Sequence, residues 1–232
     1  MSADHARTYP RIAPRRSGTV RTEWARGWRS AVEESAYEDR DLKRGMALAR
    51  AGAVGQLTVT AGLVVAAVTD GEETYGLRVE LPLLDPVASQ TLVEVVGSGA
   101  GWIGALLAGT LPEAFVEATE EAGVELLPYG GEFDAVCACE AWAQPCRHAI
   151  AVLTQVSWLM EAEPLVLVHV RGLARPELLE QLQPLVSGDP EEMAEEEMAE
   201  EDADLVPGIE AAEEATAMLG DFTTGDGPPG RA

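Results

Sequence analysis

Four residues near the middle of the chain have the types and spacing to hold a metal ion. They are Cys137, Cys139, Cys146 and His148, in the pattern C-x-C-x6-C-x-H, and they include all 3 cysteines of the 232-residue chain. Three thiolates and one imidazole make a closed Cys3His set, the donor set of tetrahedral structural zinc, with no position left over for a reactive water. A C-x-C pair on an extended or turn segment can point both sulfurs at one centre. Pro145 suits the first turn of a helix, which puts Cys146 and His148 at that helix's N-terminus. There the positive end of the helix dipole favours a thiolate at Cys146. The competing readings are plain buried thiols and a redox pair. A disulfide between Cys137 and Cys139 would close a strained ring, and a reducing compartment seldom keeps one. Four potential ligands with no cysteine elsewhere make Zn2+ the expected cofactor.

The elements that must position these ligands follow from periodicity. After Pro145 the residues Ala149, Ile150, Val152, Leu153, Val156 and Leu159 form a core-facing stripe, so a helix is expected over 147–160. Before the cysteines, 128–131 read as a turn and 133–139 as extended chain, the strand pair of the metal site. Further upstream, 55–60, 63–69 and 74–81 alternate as strands separated by turns at Ala61-Gly62 and Asp70-Gly71, an antiparallel meander. Helices are expected from Thr22, a candidate cap, with Trp24, Trp28 and Val32 on one face, and over 41–51, ending near Gly52. Others are expected over 87–97, 102–109, 113–123 and 176–182, with 124–127 extended. The apolar run 165–170, which contains His169, reads as a strand. The expected fold class is α+β, a small antiparallel meander packed by helices.

Charge divides the chain. It carries 16 basic and 40 acidic residues, a formal charge of −24. Residues 1–50 hold 11 of the basic residues and 7 of the acidic ones. Residues 1–21, with Arg7, Arg11, Arg15 and Arg16 broken by Pro10 and Pro14, read as a disordered basic arm. Residues 22–180 are expected to form the domain, with the metal-binding part at about 133–160. The segment 189–232, with 15 acidic residues and the single Arg231, reads as a disordered acidic tail. A body this acidic repels phosphate backbones, so only the N-terminal arm has the sign for nucleic acid. The uncharged stretch 95–112 is glycine-rich and reads as a buried helix after a turn, not a membrane span. No signal peptide is visible, and the chain reads as soluble and cytoplasmic.

Catalytic signatures are missing: there is no G-x-S-x-G, no Walker loop and no H-E-x-x-H. Gly97 to Gly101 lack the lysine of a phosphate loop, and Glu120 and Glu121 read as solvated charge. Trp24 and Trp28 read as core residues in preference to an aromatic platform. No catalytic residue, no organic cofactor site and no small-molecule substrate are identified.

The cysteine segment resembles the SWIM zinc finger, whose motif is C-x-C-x(n)-C-x-H with a tryptophan midway and Pro-Cys-Lys-His at the end. Here Trp142 stands midway and Pro145-Cys146-Arg147-His148 closes the motif, with arginine keeping the charge of the usual lysine. Glu140-Ala141 stands where Pro-Asp is frequent, leaving the ligands untouched. The likeness to bacterial members extends to Trp24 and Trp28, to the stretch from Gly45 through Ala47, Ala49 and Arg50 to Gly52, and to Gly109-Thr-Leu-Pro112, over roughly residues 22–173. The resemblance implies a non-catalytic interaction or adaptor module that recruits or regulates a nucleic-acid enzyme, with a Snf-type helicase as the expected protein partner. The alternative it leaves open is direct DNA or RNA binding through the basic arm and the finger.

Overall fold

The computed structural model describes residues 5–99, 101–108 and 110–187. The acidic tail assigned to 189–232 lies outside the described residues. The architecture is α+β, and the strands among the described residues form one antiparallel sheet. In chain order the elements are β1 (Arg7–Tyr9), α1 (Glu23–Ser35), α2 (Asp39–Arg50), β2 (Val54–Thr60), β3 (Leu63–Asp70), β4 (Glu73–Glu80), α3 (Pro86–Ser98), α4 (Trp102–Leu107), α5 (Glu113–Glu121), β5 (Asp134–Cys137), α6 (Arg147–Ala162), α7 (Leu165–Val170) and α8 (Arg175–Ser187). The described chain up to Gln183 belongs to one compact unit.

The sheet order is β1-β2-β3-β4-β5. β2, β3 and β4 form the expected meander, because two-residue turns with Gly62 and Gly71 at positive φ close both hairpins. Alternation then puts Leu57, Val59, Val64, Ala66, Val68, Leu77 and Val79 on the buried face. β5 adds to the open edge of β4, with Cys137 opposite Leu77 and Ala135 opposite Val79. The expected strand pair within 133–139 is therefore corrected. The finger supplies one strand, and its partner lies about sixty residues earlier in the chain, since four residues cannot both turn and pair with themselves.

α6 is the centre of the molecule. It contacts α1, α2 and four strands, and it is buried on nearly every side, not on a single stripe. Two of its buried polar residues bond to backbone carbonyls: Gln155 Nε2 donates to Ala49 O at 2.9 Å, and Thr154 donates to Ile150 O at 2.7 Å. The Trp28 indole donates to Leu153 O at 3.0 Å and its ring meets Phe133 edge-on, so Trp28 and Trp24 are core residues as expected. Thr22 stands at the N-cap of α1, but its hydroxyl makes no capping bond.

Two further expectations are corrected. The run 165–170 is helix α7, following Pro164, with all but Leu165 buried. A short run that is apolar on all sides carries no period, so alternation cannot tell strand from helix there. The N-terminal arm is ordered over residues 5–21. β1 pairs with β2 in the register Tyr9↔Leu57, Tyr9 and Val20 are buried, Arg11 donates to Gly52 O at 2.7 Å and the Arg15 backbone N–H donates to Arg50 O at 2.8 Å. The arginines there serve as backbone donors and as lids over apolar rings, with Arg15 lying over Trp158, a use that composition does not distinguish from solvated charge. Among the described residues, no helix is long and apolar enough to cross a membrane.

Candidate metal centre

The four predicted ligands converge. One ligand atom from each of Cys137, Cys139, Cys146 and His148 lies within 4.8 Å of all the others. Cys137 ends β5. Cys139 follows in a turn closed by the Glu140 N–H to Cys137 O bond at 3.2 Å, with Glu140 at φ 50°. Cys146 is the N-cap of α6 and His148 lies in its first turn, at the helix start as expected; Pro145, expected in that first turn, instead stands before the N-cap, with a cis bond to Gln144. Cys137, Cys146 and His148 are buried and Cys139 is half-buried.

The geometry fits zinc. A tetrahedral ion with metal–sulfur distances of about 2.3 Å and metal–nitrogen distances of about 2.0 Å has ligand–ligand edges of roughly 3.5–3.8 Å. The Cys137 Sγ to His148 Nδ1 separation is 3.6 Å. Nδ1 therefore faces the sulfurs, while Nε2 faces Asp70 Oδ2 at 3.3 Å. An imidazole oriented by a carboxylate on its far nitrogen is the usual support of a metal-bound histidine. The Tyr75 ring stacks on His148 with centroids 4.5 Å apart.

Asp70 is the hub of that support. Arg147 Nε donates to it at 2.8 Å, and the Arg44 guanidinium lies 3.7 Å away. The Arg147 hydrogen bond, helped by the His148 contact and the Arg44 charge, holds the Asp70 carboxyl below its ordinary range. Burial pushes the Cys137 thiol up to about 12, opposed by the Cys139 backbone N–H and reinforced by the other sulfurs. Burial likewise raises Cys146, opposed by the backbone N–H groups of Ala149 and His148 at the helix start. Burial lowers His148, keeping the imidazole neutral. Two crowded thiols, Cys137 and Cys146, that resist ionisation on their own mark a site whose charge balance a divalent cation completes.

Sequence reasoning picked out the four residues that cluster and missed Asp70, Tyr75 and Arg44 beside them. Asp70 reads as an ordinary turn residue in Asp70-Gly71, and no local signal ties it to a histidine 78 residues away. His169, expected in a strand, lies buried in α7, outside the metal cluster.

A closed cluster of three thiols and one imidazole, on a strand end and a helix start of an α+β fold, defines a protein with a structural zinc-type centre. Residues 120–157 match the model of the family described as SWIM zinc finger, and the chain carries that finger, its Cys3His group positioned to bind a zinc ion. The chain is similar to the uncharacterized protein Rv2102 of Mycobacterium tuberculosis, 28% identical over 169 residues, which covers 72% of this chain and 61% of that protein. The match thus spans about three fifths of that relative's length. No solved structure matches the chain.

Proposed function

We propose that Cys137, Cys139, Cys146 and His148 are the ligands of one structural zinc ion. We further propose that the protein is a zinc-dependent adaptor recruiting or regulating a nucleic-acid enzyme, with a Snf-type helicase as the leading candidate. The observation that carries this reading is the closed, largely buried donor set: four protein ligands leave no open position for hydrolytic chemistry, so the ion serves to hold a surface. The formal charge of −24 favours a protein partner with basic patches over a phosphate backbone. The thiols, all free, belong in a reducing compartment, and the proposal places the protein in the cytoplasm.

The test is capture from a native lysate with the intact chain, beside Cys139→Ser and His148→Ala. The expected result is one zinc per intact chain and an ATPase or helicase partner retained only by zinc-loaded protein. A zinc-loaded chain that retains no such partner overturns the helicase reading, and reduced protein without zinc overturns the ligand assignment.

The second reading, direct nucleic-acid binding, is favoured by one observation. Trp142 in the finger and Tyr37 meet edge-on at 4.9 Å with relative exposures of 77% and 71%, a surface on which bases could stack. Against it stand the internal roles of Arg11 and Arg15. This reading predicts steeply salt-dependent binding of single strands that is lost in Trp142→Ala.

A further inference from the structure

A groove of about 450 Å³ opens on the molecule between α1, α5 and the segment 124–129, away from the metal ligands. Its volume is in the range of binding clefts, ~300–1,000 Å³. The floor is apolar, with Trp24 and Ala31 from α1, Val116 from α5 and Leu127. The rim carries Glu34, Glu120 and Glu125, one from each wall, all exposed. No Lys, Arg or His lines it, and none of the three carboxylates is ion-paired among the described residues.

The walls are braced. Gly27 lets Leu127 approach α1 so closely that an added Cβ would lie 2.6 Å from its Cδ1. Gly130 does the same against Glu34 Cβ at 2.8 Å and Ala31 O at 3.0 Å. Buried Arg171 donates to the Glu125 carbonyl at 3.0 Å and the Pro82 carbonyl at 2.9 Å, fixing the third wall from behind. A preformed cleft needs little ordering when it binds.

We propose that this groove docks an amphipathic segment of a partner protein whose apolar side chains enter the floor and whose lysines or arginines meet the three glutamates. Charge selects this occupant. The chain's own segment 189–232, with 15 acidic residues and one arginine, is repelled by the rim, and so is nucleic acid. A second copy, at a formal charge of −24, is repelled as a whole. The inference rests on the protein-partner reading above and names its surface.

The test titrates the isotopically labelled, zinc-loaded full chain with a synthetic amphipathic peptide of leucine and lysine, and with the same peptide carrying glutamate for lysine. Amide shifts at Ser30, Gly123 and Tyr129 are expected with the basic peptide and not with the acidic one. The Glu34→Lys/Glu125→Lys double variant, changed only at exposed positions, is expected to weaken binding about tenfold with zinc content unchanged. Shifts confined to residues 189–232, or equal affinity in the double variant, overturn the groove. If the double variant still captures the partner of the intact chain, the groove fails and the adaptor reading stands. If the groove binds the peptide while the intact chain captures no partner, the groove stands and the helicase-adaptor reading falls.

Discussion

At the scale of single residues, the metal centre has an inner part visible in the sequence and an outer part that is not. Cys146→Ser removes one sulfur from a closed set and leaves a buried hydroxyl in its place. The expected outcome is loss of zinc by elemental analysis and a fall in stability of several kcal/mol, from the roughly 5–15 kcal/mol typical of a domain. Asp70→Asn keeps all four ligands and the shape of the turn but removes the charge that orients His148 and pairs with Arg147. Zinc affinity measured by chelator competition is expected to fall about 10- to 100-fold. The clustering of the three cysteines and His148 was legible because cysteine and histidine at this spacing have few other uses. Asp70 was not, because a turn aspartate has many, and only folding brings β3 to the start of α6.

At the scale of elements, small residues decide how closely the metal-bearing helix is held. Gly45 in α2 faces α6 at a distance where an added Cβ would lie 2.7 Å from Arg147 O and from Ile150 Cβ. This gives physical content to the glycine–alanine stretch of α2: Gly45 admits α6, Ala49 accepts the Gln155 bond, and Gly52 turns the chain at φ 68°. Gly45→Ala gains up to ~1 kcal/mol of helix propensity but forces the helices apart, for a net expected loss of about 1–2 kcal/mol in denaturant unfolding. β1 offers a different test. The Tyr9 hydroxyl is buried with no hydrogen-bond partner among the described residues, and burial pushes its pKa up to about 12 from 10.0. The folded state thus keeps a proton that the unfolded chain releases, so stability falls as pH rises above 10 toward 12. Tyr9→Phe is expected to be neutral or stabilising by up to ~1 kcal/mol at pH 7 and to lack that alkaline slope in thermal melts. The meander, α1, α2 and α6 were legible through period and turn chemistry. β1 and α7 were not, since three residues hold too little alternation and six uniformly apolar ones hold none.

At the scale of the whole molecule, the matched finger, 120–157, is continuous in sequence but not self-contained in space. Its single strand pairs with β4, its histidine leans on an aspartate of β3, its helix is sheathed by α1 and α2, and Tyr75 covers the imidazole. An excised peptide of residues 120–157 keeps every ligand and none of these supports. It is expected to bind zinc at least about tenfold more weakly than the full chain and to show little ordered sheet by circular dichroism. Equal affinity in the peptide would show that the surrounding domain adds nothing to the site. The finger is thus not a portable cassette. An insertion or deletion anywhere in the meander that shifts Asp70 by one register disturbs the ion's surroundings, so the whole sheet lies under a constraint that the metal motif alone does not reveal.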